Sequence, residues 1–142
     1  MVDGDTVYVL DEAKTQHKIR LAGIDARSAA SPFGRRAKER LAELVAGKEV
    51  KVDWYKEDRW GRLIGKVWVA SPDCREEPCP KTLDAALALI TSGLAWHFKK
   101  YAHEQTEEDR ERYAFAEVEP RARKAGLWRD SEPVPPWEWR RQ

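Results

Sequence analysis

Two runs of alternating residues open the chain and constrain its fold more than any other feature. VYVL at residues 7–10 and HKIRLAGI at 17–24 place apolar side chains at every second position, around the turn-like segment DEAKT. Alternation with a period of two is typical of half-buried strands, so this pair predicts a β-hairpin. A second hairpin is predicted for EVKVDWY at 49–55 and RLIGKVWVA at 62–70, with Gly61 in the turn between them.

Two segments after the first hairpin have helical spacing. After Pro32, apolar residues recur every three or four positions up to Val45, and Gly47 is suited to the C-terminal cap. LDAALALITS has a second helical pattern, which we expect Thr82 to cap and Gly93 to end. The helices are therefore predicted to alternate with the hairpins.

A third helix is predicted to begin at Thr106, which is followed by three acidic residues. Pro120 interrupts it, and because an interior proline costs about 3 kcal/mol in a straight helix, we expect a kink near Glu119. LAWHF, before this helix, returns to an extended pattern. The order of elements predicts an α+β fold with a small, strongly bent antiparallel sheet.

Length and composition fit one domain, which we place at residues 1–130, followed by a tail at 131–142 rich in proline and tryptophan. No apolar stretch approaches the roughly 20 residues of a membrane span. The formal net charge is only +1, so overall charge does not indicate a nucleic-acid binder. Basic residues are concentrated between 17 and 40, which indicates either an anion-binding half or an ordinary solvated face.

The two cysteines, Cys74 and Cys79, lie in the loop SPDCREEPCPK with four residues between them. They are close enough to form a disulfide if the loop doubles back, and the sequence leaves this open against two free thiols. One pair of cysteines without a neighbouring histidine argues against a zinc site.

Two carboxylates, Asp3 and Asp5, flank Gly4 directly before the first alternating run. A turn explains Asp-Gly, and a site for a hard cation explains it as well. Asp5 begins one predicted strand and Asp25 ends its hairpin partner, so antiparallel pairing carries both to the same end of the sheet. Two carboxylates, a main-chain carbonyl and water make an oxygen-only donor set, which favours Ca²⁺ or Mg²⁺ over Zn²⁺.

Two arginines are predicted near these carboxylates. Arg20 precedes Asp25 on the same strand, and Arg62 opens the fourth predicted strand. A guanidinium group matches phosphate oxygens with two parallel hydrogen bonds, although each arginine alone is explained equally well as a surface charge. Together with two carboxylates they form a set that binds a metal-bridged phosphate and stabilises charge in its transition state.

The motifs of the chain resemble, in order, those of the staphylococcal nuclease (thermonuclease) family. They are DGDT, IRLAGID, LAELVAGKEVKV, DRWGRLIGKVWV, SGLAWHF and KAGLW. The resemblance covers nearly the whole chain. It implies a five-stranded OB-fold β-barrel with three helices and Ca²⁺-dependent hydrolysis of phosphodiester bonds in DNA and RNA, with single-stranded or frayed substrates preferred.

The resemblance also implies roles for individual residues. Asp5 and Asp25 correspond to the calcium carboxylates, the carbonyl group of Ala26 lies beside them, and Asp3 acts through water. The predicted metal site therefore lies at the end of the first hairpin where its first strand begins and its second strand ends.

The family resemblance makes Arg20 and Arg62 the groups that bind the phosphate. Trp96 or Phe98 falls where the family places a nucleotide base, and either side chain could equally pack in the core. If a base stacks there, the contact is worth about 1–3 kcal/mol.

One departure from the family bears on catalysis. Family members usually continue the strand as IDAPE, whereas this chain reads IDARSAASPFG, so Ser28 occupies the position of the general-base glutamate and Arg27 that of the proline. No acidic residue lies between Asp25 and Glu39. Since a serine hydroxyl is not a base near neutral pH, the loss predicts a rate about 10² to 10⁴ lower. Arg27 adds positive charge that could hold substrate.

Three functions therefore compete: a metal-dependent nuclease that is slow or rescued by a base from elsewhere, a nucleic-acid-binding OB module without catalysis, and a structural or interaction domain on the same scaffold. We favour the nuclease because the two carboxylates and two arginines are all present. If Cys74 and Cys79 form a disulfide, an oxidising compartment is indicated, so we expect the natural precursor to be secreted or periplasmic. Finally, the first barrel strand looks truncated, so we expect an exposed strand edge through which chains could self-associate.

Overall fold

The computed structural model describes residues 4–26, 32–97 and 105–129, and these form the α+β fold expected from the sequence. Runs of strands are each followed by one helix along the described chain, and a short 3₁₀ helix ends it. Their bounds are β1 Thr6–Leu10, β2 Gln16–Leu21, β3 Ile24–Asp25, α1 Pro32–Val45, β4 Lys51–Glu57, β5 Leu63–Ala70, β6 Lys81–Asp84, α2 Ala85–Thr91, β7 Trp96–His97, α3 Glu107–Ala122 and the 3₁₀ helix Gly126–Arg129.

The main sheet has the strand order β1-β2-β5-β4, and β6 pairs with the far end of β5. β2 and β5 are parallel whereas the other pairs are antiparallel, so the sheet is mixed and the prediction of a purely antiparallel sheet is wrong. β3 and β7 form a separate two-stranded sheet. Within the described residues these pairings do not close the strands into a barrel.

Both predicted hairpins are confirmed. β1 pairs with β2 in a continuous register from Thr6↔Arg20 to Leu10↔Gln16, and β4 pairs with β5. In the second hairpin the register shifts between Trp54 and Lys56, which leaves one extra residue in β4. Such a bulge twists and bends the strand that carries it.

The first helix is confirmed, whereas the predicted cap of the second is wrong. α1 ends at Val45, and Gly47 follows with φ +67°. The cap of α2 is Asp84, whose carboxylate accepts hydrogen bonds from the amides of Ala86 and Leu87. Thr82 lies instead in β6, since pairing with β5 keeps the backbone extended up to Asp84. Gly93 ends this helix as predicted.

The third helix begins as predicted and ends close to its proline. The Thr106 hydroxyl accepts a hydrogen bond from the amide of Asp109, and α3 stops at Ala122, two residues after Pro120. A proline in the last turn removes little helical structure after it. The predicted kink near Glu119 stays a prediction.

The core lies between the main sheet and helices α1 and α2. It contains aliphatic side chains from β1, β2, β5, α1 and α2. Tyr113 of α3 is fully buried and donates a hydrogen bond to Asp84, while Lys66 contacts Asp109 at 3.0 Å. Burial, followed by the nearby charge of Asp84, raises the pKa of Tyr113 above its ordinary value. This paired cluster joins β5, α2 and α3.

The loop between β5 and β6 is closed by a disulfide between Cys74 and Cys79, whose Cα atoms are 6.1 Å apart. This settles the alternative that the sequence left open. None of the helices in the described ranges has the length and apolar character needed to cross a membrane.

Candidate active site

Asp5 is held at the start of β1 by close packing around Gly4. A Cβ atom on Gly4 would lie only 2.6 Å from the Cβ atom of Ala37 on α1 and 3.2 Å from that of Ala26. A side chain at this position would therefore push the strand away from the helix. Gly4 therefore allows the strand to pack closely against the helix, in addition to forming part of the turn.

The Asp5 carboxylate faces the end of β3. Its Oδ2 atom lies 3.4 Å from the amide nitrogen of Ala26, and its Oδ1 atom accepts a hydrogen bond from the Thr6 hydroxyl at 3.0 Å. The Asp5 carbonyl accepts a hydrogen bond from the Leu21 amide at 2.8 Å. These contacts bring the residue after Asp25 next to Asp5.

Arg20 contacts the residue directly before Asp25 in the chain. It lies on β2, is 7% exposed, and its Nη2 atom is 3.4 Å from the carbonyl oxygen of Ile24. Asp25 is 2% exposed, and its two chain neighbours are the residues contacted by Arg20 and Asp5. The structure therefore places the Arg20 and Asp5 side chains against the main chain directly before and after Asp25.

The route to this assembly differs from the one predicted. Asp25 belongs to the short strand β3, which pairs with β7 and not with β1. The residues between β2 and β3 turn the chain, and the Asp5 carboxylate contacts the main-chain amide of Ala26, the residue after Asp25. The main chain next to Asp25 thus reaches Asp5 through a second sheet, and convergence of the two carboxylates on one cation stays a prediction.

Arg62 lies in the turn before β5, two positions before Ile64. Ile64 lies opposite Arg20 in the parallel pairing of β2 and β5. Its Nε atom donates to Oδ2 of Asp58 at 2.7 Å, and its main-chain amide donates to Oδ1 of the same carboxylate. Arg62 is therefore fixed by its own turn.

Asp58 and Trp60 were missed as site residues by the sequence analysis. Burial raises the pKa of Asp58, but hydrogen bonds from the Arg62 main chain and side chain and from the Trp60 amide outweigh it, so the pKa is lower than usual. The Trp60 indole is 65% exposed, and the guanidinium carbons of Arg59 and Arg62 lie 4.4 and 5.3 Å from its ring centre. The sequence feature that could have indicated Asp58 was an acidic residue four positions before Arg62.

Trp96, predicted to contact substrate or pack in the core, is 7% exposed and lies 4.3 Å from the ring centre of Trp128. This burial favours the packing alternative. Four other predicted site residues lie outside the described ranges: Asp3, Arg27, Ser28 and Phe98. Their roles stay predictions.

The chain is similar to nucleases along most of its length. Residues 18–130 match the family model of staphylococcal nuclease homologues. The whole chain is 36% identical to the protein ParB of Escherichia coli and covers 76% of it. An uncharacterized endonuclease of Escherichia coli O157:H7 is 34% identical over 99% of this chain, which covers 80% of that protein. The chain therefore belongs to the staphylococcal nuclease family.

A plant relative places the same domain in a longer protein. The staphylococcal-like nuclease CAN1 of Arabidopsis thaliana is 36% identical over 87% of this chain, which covers 33% of the plant protein. Asp5 precedes the residues matched by the family model, but the match with ParB includes the whole chain. Membership of this family supports assignment of the chain as a hydrolase of the nuclease type.

Proposed function

We propose that the chain is a Ca²⁺-dependent nuclease that hydrolyses phosphodiester bonds in DNA and RNA, slowly because it lacks the usual general base. The observation that supports this most directly is that the Asp5 carboxylate and the Arg20 guanidinium contact the main chain of the residues directly after and before Asp25, each at 3.4 Å. Two carboxylates beside a guanidinium suit a cation and a phosphate together. The closed five-stranded OB barrel implied by the resemblance is part of the proposal.

The residues at this end fit a hard cation. Asp5 and Asp25 offer carboxylate oxygens, and the main-chain carbonyl of Ala26 is the third proposed ligand. Over the described ranges no three His, Cys, Asp or Glu side chains cluster as a metal site, so water and Asp3 would supply the remaining ligands. When bound, Ca²⁺ would supply positive charge to the phosphodiester and make water more acidic. Oxygen donors alone are what Ca²⁺ prefers.

The arginines are proposed to act on the phosphate. Arg20 would donate hydrogen bonds to the phosphate oxygens from its buried position, and Arg62 would add a second guanidinium from the neighbouring turn. Charge developing on these oxygens in the transition state is stabilised by donors that are already in place. Asp58 contributes by holding the Arg62 side chain in one orientation.

Trp60 is proposed as the aromatic contact for a nucleotide base. Its exposed indole could stack with an unpaired base while Arg59 and Arg62 face the neighbouring phosphates. A stacked base needs to be free of its complementary strand, so this contact agrees with the predicted preference for single-stranded or frayed substrates. Trp96 is buried and is less suited to this role.

Proton transfer from the attacking water is the step that we expect to lower turnover. With Ser28 in place of the usual glutamate, the side chain at this position cannot accept the proton of the attacking water, and we expect turnover about 10² to 10⁴ below that of a family member with glutamate. Arg27 would retain substrate electrostatically. A nucleic-acid-binding module without catalysis is therefore the second candidate function.

The experiment that separates these functions incubates the protein with denatured DNA and CaCl₂, with and without a chelator. Cleavage that the chelator abolishes supports the nuclease, whereas retarded but intact DNA supports the binding module. The absence of both cleavage and retardation supports a structural domain. We expect Ser28→Glu to raise turnover by about tenfold or more, with Ser28→Gln as the control of similar size and no basicity. Equal rates for both variants would contradict the proposed role of this position.

The disulfide supports a proposal on localisation. Disulfides such as Cys74–Cys79 persist in oxidising compartments and are rare in reducing ones. We therefore propose that the protein is secreted or periplasmic. Fractionation of the source cells, with the thiol state of these cysteines read by alkylation, tests this.

A further inference from the structure

The strand that carries Asp25 is short and has one partner strand within the described ranges. The two residues of β3 pair with the two residues of β7, Ile24 with His97 and Asp25 with Trp96. A ribbon of two strands is marginally stable in water unless other elements pack against it. Asp25 is nevertheless 2% exposed. The orientation of its strand therefore depends on the structure that holds β7 in place.

A carboxylate of α3 holds one residue of β7. Glu117 is 5% exposed, and its Oε2 atom accepts a hydrogen bond from the main-chain amide of His97 at 2.7 Å. A hydrogen bond to a carboxylate is shorter and stronger than one between neutral groups. The other oxygen, Oε1, accepts a hydrogen bond from Nη1 of Arg121 at 3.2 Å, so both oxygens of this buried group have partners. Glu117 thus fixes the main chain of His97 against α3.

Arg121 extends this support to the other residue of β7. Its guanidinium carbon lies 4.4 Å from the ring centre of Trp128. The ring of Trp128 meets that of Trp96 edge-on, with 4.3 Å between the ring centres, and both tryptophans are buried. Contacts of a cation with a ring face and of two aromatic rings both depend on orientation. The pair of Glu117 and Arg121 therefore reaches both residues of β7, one directly and the other through Trp128.

The segment that carries Trp128 is anchored to the rest of the fold. The Leu127 amide donates a hydrogen bond to the Gly93 carbonyl, in the turn after α2, at 2.9 Å. The Trp128 amide donates to the Ala125 carbonyl at 3.0 Å, and the Leu127 side chain is fully buried. The 3₁₀ helix is therefore fixed against α2, and Trp128 packs on β7 from a defined position.

The His97 side chain is connected to the turn that leads into β3. Its Nε2 atom lies 3.1 Å from Oε1 of Gln105, which is 7% exposed. Gln105 packs so closely on Gly23, between β2 and β3, that a Cβ atom on this glycine would overlap the Gln105 side-chain amide. His97 is thus held by Glu117 at its main chain and, through Gln105, against the start of β3.

We propose that Glu117 is a positioning residue for Asp25, acting through the pairing of β7 with β3. By holding β7 it sets the main-chain direction of β3, from which the Asp25 carboxylate projects. Groups that orient a metal ligand from behind typically change metal affinity about 10- to 100-fold when they are removed. The part of this inference that concerns Ca²⁺ rests on the proposed function, whereas the part that concerns the strand does not.

Three substitutions remove parts of this support. Glu117→Leu has a similar volume but accepts no hydrogen bond from the His97 amide. Glu117→Gln keeps an oxygen that can accept this bond, so it should restore most of what Glu117→Leu loses. Arg121 is 51% exposed, so Arg121→Gln leaves no cavity in the core and should fold even if Glu117→Leu does not. It breaks the connection between Glu117 and Trp128.

Tyr113→Phe is the matched control on the same helix. Tyr113 is fully buried one turn before Glu117, and its ring lies edge-on to that of His97. The substitution keeps this ring and removes only the hydrogen bond to Asp84, which joins α3 to α2. It should therefore weaken the packing of α3 without changing the support of β7.

Two measurements are made on each variant. Amide hydrogen exchange by NMR, without added metal, reports on the main chain of residues 24–26 and 96–97, and isothermal titration calorimetry with CaCl₂ alone reports on the metal. In Glu117→Leu we expect exchange of these amides to be about tenfold faster or more while that of β2 is unchanged. The Kd for Ca²⁺ should rise about 10- to 100-fold. Arg121→Gln should shift both quantities in the same direction by less.

The two measurements separate this inference from the nuclease proposal. A wild type that binds no Ca²⁺, with faster exchange of residues 24–26 in Glu117→Leu, would contradict the proposed function and support the positioning of the strand. Unchanged exchange of these residues in both Glu117→Leu and Arg121→Gln would overturn the inference. It would also be overturned if Glu117→Leu bound Ca²⁺ as tightly as a wild type that binds it, or if Tyr113→Phe showed equal effects.

Discussion

The two arginines of the candidate site are held in place by different kinds of structure. Arg20 is buried in the middle of the sheet, between β1 and β5, and contacts the main chain next to Asp25. The side chain of Arg62 is 25% exposed and is held by Asp58, four residues away in the same turn. One depends on the tertiary fold, and the other on a local loop.

This difference indicates how each arginine can change without loss of the fold. Removal of a buried side chain alters packing and chemistry together, so its two effects are hard to separate. An arginine held by a surface turn can be removed with little effect on the core. The Arg62 turn is therefore the better place to measure transition-state stabilisation by itself.

The largest effect is expected for Arg20→Ala. Loss of this guanidinium should lower kcat/KM by about 10² to 10³ and the free energy of unfolding by about 2–4 kcal/mol, since a buried side chain is lost as well. Arg20→Lys keeps the charge and most of the stem, so it should recover stability more than activity. Activity assays with urea unfolding measure both. Unchanged stability in Arg20→Ala would contradict its structural role.

Arg62→Ala should lower activity about 10²-fold while the free energy of unfolding changes by less than about 1 kcal/mol. Arg112→Ala is the matched control, because Arg112 is also a partly exposed arginine in an ion pair with an acidic residue four positions away, but on α3. It should leave activity unchanged. A large drop in the melting temperature of Arg62→Ala would show that the residue supports the fold.

Trp60→Ala should weaken binding of single-stranded DNA by about 1–3 kcal/mol, if Trp60 stacks on a base as proposed. Trp54→Ala removes another exposed tryptophan outside this turn and serves as the control. Fluorescence anisotropy with a labelled oligonucleotide measures both affinities. Equal losses in the two variants would argue for non-specific aromatic contacts in place of a base site at Trp60.

The smallest effect concerns the pH dependence of the Arg62 turn. Because the pKa of Asp58 is lower in the folded chain, its contribution to stability is complete above the unfolded value near 3.9 and is lost as pH falls through the folded value. Wild type should exceed Asp58→Asn in stability by about 1 kcal/mol at pH 7, and the difference should begin to shrink below about pH 4 and disappear once the pH is below the lowered pKa of Asp58 in the folded chain. Thermal unfolding at several pH values tests this; a difference that persists at low pH would contradict it.

Local pattern predicted the elements well and their assembly less well. The hairpins follow from period-two alternation, and the Thr106 cap from the acids that follow it. Thr82 and Asp84 are both good capping residues, and only the pairing of β6 with β5 decides between them. Contacts between distant strands leave no local signal, so the cap of α2 was placed two residues early.

The site shows the same limit. The choice of Asp5, Arg20 and Asp25 as neighbours came from residue type and order, whereas β3, which carries Asp25, pairs with a strand distant in sequence. Trp96 and Trp60 have the same side chain, but contact with Trp128 buries the first and an open turn exposes the second. Burial of an aromatic residue depends on these tertiary contacts.

The parallel pairing of β2 with β5 affects the order in which the protein folds. Each hairpin can form from neighbouring residues, but Arg20 reaches its final surroundings only when two segments far apart in the chain align. Contacts with large sequence separation form slowly because chain entropy is lost before they stabilise the structure. During refolding, recovery of enzymatic turnover should therefore lag behind the return of hairpin structure.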